Sequence, residues 1–160
     1  MRKVCSLLLW LALALHATNV LAETSLCKAG EINFSSCSVG EKIASFCASR
    51  NLSAKNGYFQ YRFGSPEKVE FVFPAEQKNP TGLFFRSMSS DGLENRISFK
   101  NGHYTYIFFS IDSNIGASHG IYILRDGALT KTLDCSSQFS DQDPTPYSLI
   151  KHEEFLWFNR

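Results

Sequence analysis

Asp112, Ser118 and His119 supply, within one short stretch of chain, the residue types of a serine nucleophile, its base and the acid that orients the base. Their spacing argues against that chemistry. Ser118 and His119 are adjacent and point to opposite sides if the chain is extended, and no nucleophile elbow or other hydrolase signature surrounds them. Residues 113–120 include Gly116 and Gly120 and read as a flexible connection. Loops carried on a rigid β scaffold commonly hold binding residues, so Asn114, Ser118, His119 and Tyr122 are the candidate ligand contacts. No catalytic residue is assigned, and a hydrolase built on Asp112, Ser118 and His119 is the alternative.

The other chemistry-bearing residues lack partners in sequence. His103 follows the Asn101–Gly102 dipeptide and reads as turn decoration, and neither it, His119 nor His152 sits where two ligands would share a face, so no metal is expected. No cofactor motif is present. Glu153 and Glu154 are neighbours in a terminal tail and read as solvated carboxylates, not as an acid and base pair. Asn33 and Asn51 each begin a glycosylation sequon; both read as chance matches, Asn33 because it falls within a predicted strand.

The amino terminus sets the compartment. Arg2 and Lys3 precede a nearly unbroken apolar run to Leu15, interrupted by His16, Thr18 and Asn19 well short of the roughly 20 residues that span a bilayer. With Val20 and Ala22 as small residues before a cut, residues 1–22 read as a cleaved signal peptide. Residues 23–160 then form one domain, long enough for a single core. Losing Arg2 and Lys3 leaves 14 basic against 15 acidic residues, the basic ones scattered. Nucleic-acid binding, which needs a clustered basic face, is excluded, and no membrane insertion is expected after the signal is removed. The remaining Cys27, Cys37, Cys47 and Cys135 form an even set with spacings unlike zinc sites, and read as two disulfides.

Short runs rich in Phe, Tyr, Ile and Val recur between turn residues, and no long stretch keeps helical periodicity. The runs are 31–37, 42–49, 58–63, 69–73, 83–88, 93–99, 104–111, 120–125 and 129–135. Asn101–Gly102 and Asp126–Gly127 mark tight hairpins. Run 104–111 is apolar on both faces, which predicts a central strand covered on both sides. Nine such runs predict an all-β fold, a single antiparallel barrel or closed sandwich. The apolar residues between Leu149 and Phe158 predict a short carboxy-terminal helix or edge strand packed back on the sheet. Four cysteines allow three connectivities. Pairing Cys37 with Lys42 in the first hairpin sets Cys47 opposite Ile32 and disfavours a Cys37–Cys47 bridge. Sheet closure brings the first and last strands together and points to Cys37 with Cys135 and Cys27 with Cys47.

Phe34, Ser35, Ser36 and Cys37 before a short turn, then 42–47, then 58–64, resemble uncharacterised exported proteins of Gram-negative bacteria, over about half of the domain. That resemblance implies bacterial export and β structure. Ser118 and Tyr122 keep the outer spacing of the loop of small periplasmic lysozyme inhibitors, with His119 where those have glycine; this looser similarity implies a compact disulfide-bonded β scaffold that offers a loop to an enzyme. The expectation is a periplasmic or secreted, non-enzymatic binding or inhibitor module of the cell envelope, with an envelope protein or glycan as partner. A structural subunit docking through the 155–158 tail is a further alternative.

Overall fold

The computed structural model describes residues 24–140 and 143–158; the signal segment lies outside them. Alternation of bulky apolar and polar side chains builds β1 (Glu31–Val39), β2 (Lys42–Ser49), β3 (Phe59–Ser65), β4 (Lys68–Phe73), β5 (Phe84–Met88), β6 (Glu94–Asn101), β7 (Tyr104–Ser113), β8 (Gly116–Arg125) and β9 (Ala128–Asp134). Two short strands, β10 (Ser137–Phe139) and β11 (Lys151–His152), flank the five-residue helix α1 (Thr145–Leu149).

These strands form two sheets, not a barrel. The first has the order β10-β1-β2-β3-β4, and the second β11-β5-β6-β7-β8-β9. All neighbours are antiparallel except β11 with β5. Of the two architectures expected, the sandwich is the one formed, because β4 and β9 end as open edges and do not pair with each other. The chain crosses between the sheets three times, after β4, after β9 and, through α1, after β10.

The expected short helix and edge strand both form, with Ile150 buried between them, but the aromatic stretch 155–158 lies beyond β11 in neither, and of it Leu156 and Trp157 stay exposed. The connection expected at 113–120 is absent: β7 and β8 pair without interruption from Tyr104 opposite Arg125 to Ser113 opposite Gly116. Small and polar residues hide this end of the hairpin in the sequence, yet the ladder is made by the backbone and does not need bulky side chains. At the other end of β8, Asp126 and Gly127 both take positive φ, 50° and 85°, as a tight hairpin turn of the primed type requires.

The core is aromatic. Phe46, Phe59, Phe84 and Phe99 are fully buried between the sheets. Phe59 meets Phe84 edge-on at 4.9 Å between centroids, and Phe73 stacks on Phe99 at 4.5 Å; such pairs add about 0.5–1.5 kcal/mol each beyond area burial. β7 is covered on both faces, as its composition predicts. Phe108 faces this core, while Ile107 and Phe109 join Tyr122 and Leu124 in a second cluster on the outer face, with Phe158 packed over it.

The disulfides are Cys27–Cys47 and Cys37–Cys135, the expected pairing, reached without sheet closure because β10 lies along β1. The register behind the hairpin argument differs from the expected one. Val39, not Cys37, pairs with Lys42, and Cys47 lies opposite Asn33 beside a bulge between Asn33 and Ser35. The first strand runs two residues further than predicted, to a turn at Gly40, which moves every partner. Cys37 is buried on the inner face and bonds the segment through which the chain passes from β9 to β10. Cys47 is on the outer face. Two disulfides indicate folding in an oxidising compartment. Among the described residues, no helix is long and apolar enough to cross a membrane.

Each sheet carries on its outer face a buried arginine and glutamate pair that fastens one end of the chain. Arg62 on β3 makes a forked bond to Glu31, at 2.6 and 2.7 Å, and donates to the Leu26 carbonyl at 3.0 Å. Arg96 on β6 donates to Glu94 at 2.7 Å and to the Leu156 carbonyl at 2.6 Å, with its guanidinium 3.8 Å from the Phe155 ring centroid and 5.0 Å from that of Phe158. These pairs order the segments before β1 and after β11.

Candidate functional site

The inner face of the second sheet changes character at one end. Along β6 it reads Phe99, Ile97, Asn95; along β7, Phe108, Ser110, Asp112; along β8, Ile121, His119. The register aligns these changes, since Met88 lies opposite Asn95, Asn95 opposite Ser110, and Ser110 opposite His119. Directly opposed side chains on one face have Cβ atoms about 4.5–5.5 Å apart, so one continuous row of side chains crosses four strands. With no aromatic rings to fill the space, the sheets leave an open mouth of about 760 Å³. Ser35, Gln138 and Ser140 bound it from the first sheet and its margin, and Asp143 and Tyr147 from the helix segment.

The two sides of the mouth differ in how far their polar groups are satisfied. On the first-sheet side, the Gln138 amide donates to Ser35 Oγ at 3.1 Å, and the Ser140 hydroxyl to the Phe34 carbonyl at 2.8 Å. The Asp143 carboxylate accepts the Thr145 backbone N–H at 2.8 Å. That bond, the Thr145 hydroxyl and the nearby Arg50 hold it below the usual carboxylate range. On the second-sheet side, the side chains of Asn95, Ser110 and Asp112 have no partner among the described residues, and His119 Nδ1 is buried without a hydrogen bond. Buried polar atoms are almost always bonded; in this row that places the demand on His119 Nδ1, while Asn95 and Ser110 are half-buried and Asp112 is exposed at the mouth.

The four ligand contacts expected from sequence are not brought together. His119 lines the mouth. Ser118 and Tyr122 lie on the opposite face of β8, where Tyr122 is 4 % exposed and stacks on Phe109 at 4.1 Å. Asn114 is in the β7–β8 turn. The same alternation separates Ser118 from His119, so the Asp112, Ser118 and His119 constellation is not assembled. Ser110 is the serine that the strands place beside His119, but the two are not hydrogen-bonded. Because 118–122 is strand, the lysozyme-inhibitor spacing there does not describe a loop.

The remaining sequence candidates take structural places. His103 Nδ1 is 2.8 Å from the Asp126 carboxylate on an exposed turn, and His152 is exposed on β11. Glu153 accepts a hydrogen bond from the Ser98 hydroxyl, and Glu154 is exposed. Asn33 accepts from the Ser36 hydroxyl at 2.7 Å within β1, whereas Asn51 is exposed in a turn. Cys27, Glu31 and Cys47 lie close enough for metal ligands, but the sulfurs are bonded to each other and Glu31 is engaged by Arg62. Asn95 and Ser110 were not apparent as site residues in the sequence. Their signal is the loss of apolar alternation at one end of three strands, which becomes visible only when the strands are set in register. Comparison of the chain with known protein families, curated proteins and solved structures returned no match.

Proposed function

We propose that this protein is a non-enzymatic binding module of the bacterial cell envelope, periplasmic or secreted, that receives its ligand in the mouth of the sandwich. The observation that carries the reading is the buried, unbonded His119 Nδ1 in one row with the half-buried Asn95 and Ser110, with the exposed Asp112 beside it, on the inner face of an open cavity. A concave site with a few convergent polar groups on a rigid scaffold is the usual form of a ligand site, and a row spanning three hydrogen-bonded strands is rigid before the ligand arrives. Binding suits this geometry better than catalysis. A serine mechanism needs a bonded base and donors aimed at the developing oxyanion, and Ser110 and His119 are unbonded.

The test is a thermal-shift screen of oligosaccharides and short peptides against protein recovered from the periplasmic or culture-medium fraction. The expected result is a compound that raises the melting midpoint of the wild type but not of Asn95→Leu or His119→Leu, both of which replace a polar side chain of the row with an apolar one. A compound that stabilises both variants as much as the wild type would overturn the reading. Turnover of an ester, peptide or glycan that is lost in Ser110→Ala would replace it with the enzymatic one.

A further inference from the structure

Resting on the mouth as the ligand site, we infer that its occupant is a segment of another protein carrying a lysine or arginine flanked by apolar side chains. The cation enters the mouth, and its neighbours lie on the apolar residues that border it. Two independent features carry this.

The first is charge. Asp112 and Asp143 line the cavity from opposite sides, and Asp112 has no partner among the described residues. Of the lining residues only Arg96 is a lysine or arginine. Its guanidinium is on the outer face of β6, held by Glu94 and the Leu156 carbonyl. Arg86, on the inner face of β5, stacks on the Tyr147 ring at 4.6 Å with its Nε buried and unbonded, but neither it nor Arg50 is among the described residues that line the cavity. A phosphate, sulfate or carboxylate ligand would meet the Asp112 carboxylate and the Asp143 carboxylate that Arg50 partly offsets, with no lysine or arginine side chain presented by the described lining residues. A guanidinium or ammonium would find carboxylates together with the Asn95 carbonyl, the Ser110 hydroxyl and the bare imidazole nitrogen of His119.

The second is the rim. Met88 extends the row that contains Asn95, Ser110 and His119, and is 50 % exposed. Leu93, 44 % exposed, accepts the Asp112 backbone N–H through its carbonyl and so stands beside the same edge. Ile115, 99 % exposed, is at the tip of the turn that follows Asp112 and Ser113. Single exposed apolar side chains need no explanation, but these three adjoin residues that line the cavity, Met88 opposite Asn95, Leu93 bonded to Asp112, and Ile115 three residues beyond Asp112. A sugar would satisfy the polar row and leave them in water, whereas a peptide satisfies both. Arginine at the centre of an apolar contact is also a common anchor of protein interfaces.

Selection of random dodecapeptides displayed on phage against the immobilised, disulfide-bonded protein tests this. Enriched sequences should contain a lysine or arginine with apolar neighbours. Replacing that residue by citrulline or norleucine in the synthetic peptide should weaken binding, read by fluorescence anisotropy, about tenfold or more, and so should Asp112→Asn with Asp143→Asn. Leu93→Ser with Ile115→Ser should weaken it several-fold while preserving the preference for arginine over citrulline. All four positions are at the surface or the mouth, and unchanged melting midpoints would show that the variants fold. No enrichment, enrichment without a basic residue, or equal binding to the carboxylate variant would overturn the inference. A neutral oligosaccharide that binds the wild type and not His119→Leu would overturn the peptide class yet leave the mouth as the site. Peptide binding unaffected by both Asn95→Leu and His119→Leu would overturn the mouth itself.

Discussion

The two chain ends are fastened by the same device under different constraint. Arg62 and Glu31 under the amino-terminal segment, and Arg96 and Glu94 under the carboxy-terminal tail, are pairs with side chains no more than 7 % exposed. In each, the arginine also takes a backbone carbonyl from the segment it holds. The amino-terminal segment is bonded in addition by Cys27–Cys47, across a separation of 20 residues, and its Leu26 N–H bonds Ser45 Oγ. The tail beyond β11 has no such bond; it is held by aromatic rings around Arg96, the Glu153 contact to Ser98 and the packing of Phe158 on Tyr122. Breaking a buried ion pair is severe when the orphaned charge cannot reach water. Covalent closure denies Glu31 that escape, whereas a tail that can lift admits water to Glu94.

The largest difference is therefore expected between two equivalent substitutions. Arg62→Ala should cost about 3–5 kcal/mol in urea unfolding, because Glu31 stays buried and uncompensated. Arg96→Ala should cost about 2 kcal/mol, nearer the loss of hydrogen bonds to a charged group. In a Cys27→Ala/Cys47→Ala background the Arg62→Ala penalty should fall toward that of Arg96→Ala. Equal penalties in the disulfide-bonded protein would show that the covalent bond does not make the difference.

Truncation after His152 removes the tail while keeping α1 and β11. The rings of Phe155 and Phe158 are only partly buried, and Leu156 and Trp157 are 56 % and 73 % exposed, so the expected loss is about 1–3 kcal/mol with one cooperative transition retained. A chain that no longer unfolds cooperatively would make the tail part of the core and remove the contrast between the two ends.

What the sequence made legible follows the same division between local and distant causes. Alternation in 59–63 and 104–111 and the dipeptides Asn101–Gly102 and Asp126–Gly127 are local signals, and they placed the strands and turns. The β7–β8 turn escaped because Ser113, Gly116, Ala117 and Ser118 are poor strand formers held in place only by pairing with their opposites. The candidate site escaped for a related reason. Ser118 and His119 are neighbours in sequence and lie on opposite faces, whereas Asn95, Ser110 and His119 are far apart in sequence and side by side once register is set. The two-residue shift at the first hairpin shows how much depends on register: the pairing that argues against a direct bridge does not occur, and Cys135 reaches Cys37 because β10 returns to the edge of β1, not because the sheet closes. The Arg62 and Glu31 pair has no sequence signature either, since it forms only when β1 and β3 are set on either side of β2, whereas Glu94 and Arg96 are two apart on one face of β6.

The smallest of these effects is acid sensitivity confined to the amino-terminal fastening. Burial acts to raise the Glu31 pKa, but hydrogen bonds from Arg62, Tyr58 and the Lys28 backbone outweigh it and leave the carboxyl below its ordinary value of 4.5. A carboxyl whose pKa is depressed on folding contributes stability that is full above its unfolded value and is lost as the pH falls through the folded one. The wild type should therefore be more stable than Glu31→Gln at neutral pH, and the gap should narrow on acidification below about pH 4.5. Asp91 and Asp143 are also depressed, but they are present in both proteins and cancel in the difference. Urea unfolding of the pair across this range measures the gap directly. Because Cys27–Cys47 still closes the segment over the first sheet, the denaturant slope should remain equal in the two proteins. A slope that falls with acid in the wild type alone would mean that the segment lifts away despite its disulfide, and the distinction between a bonded and a releasable end would fail.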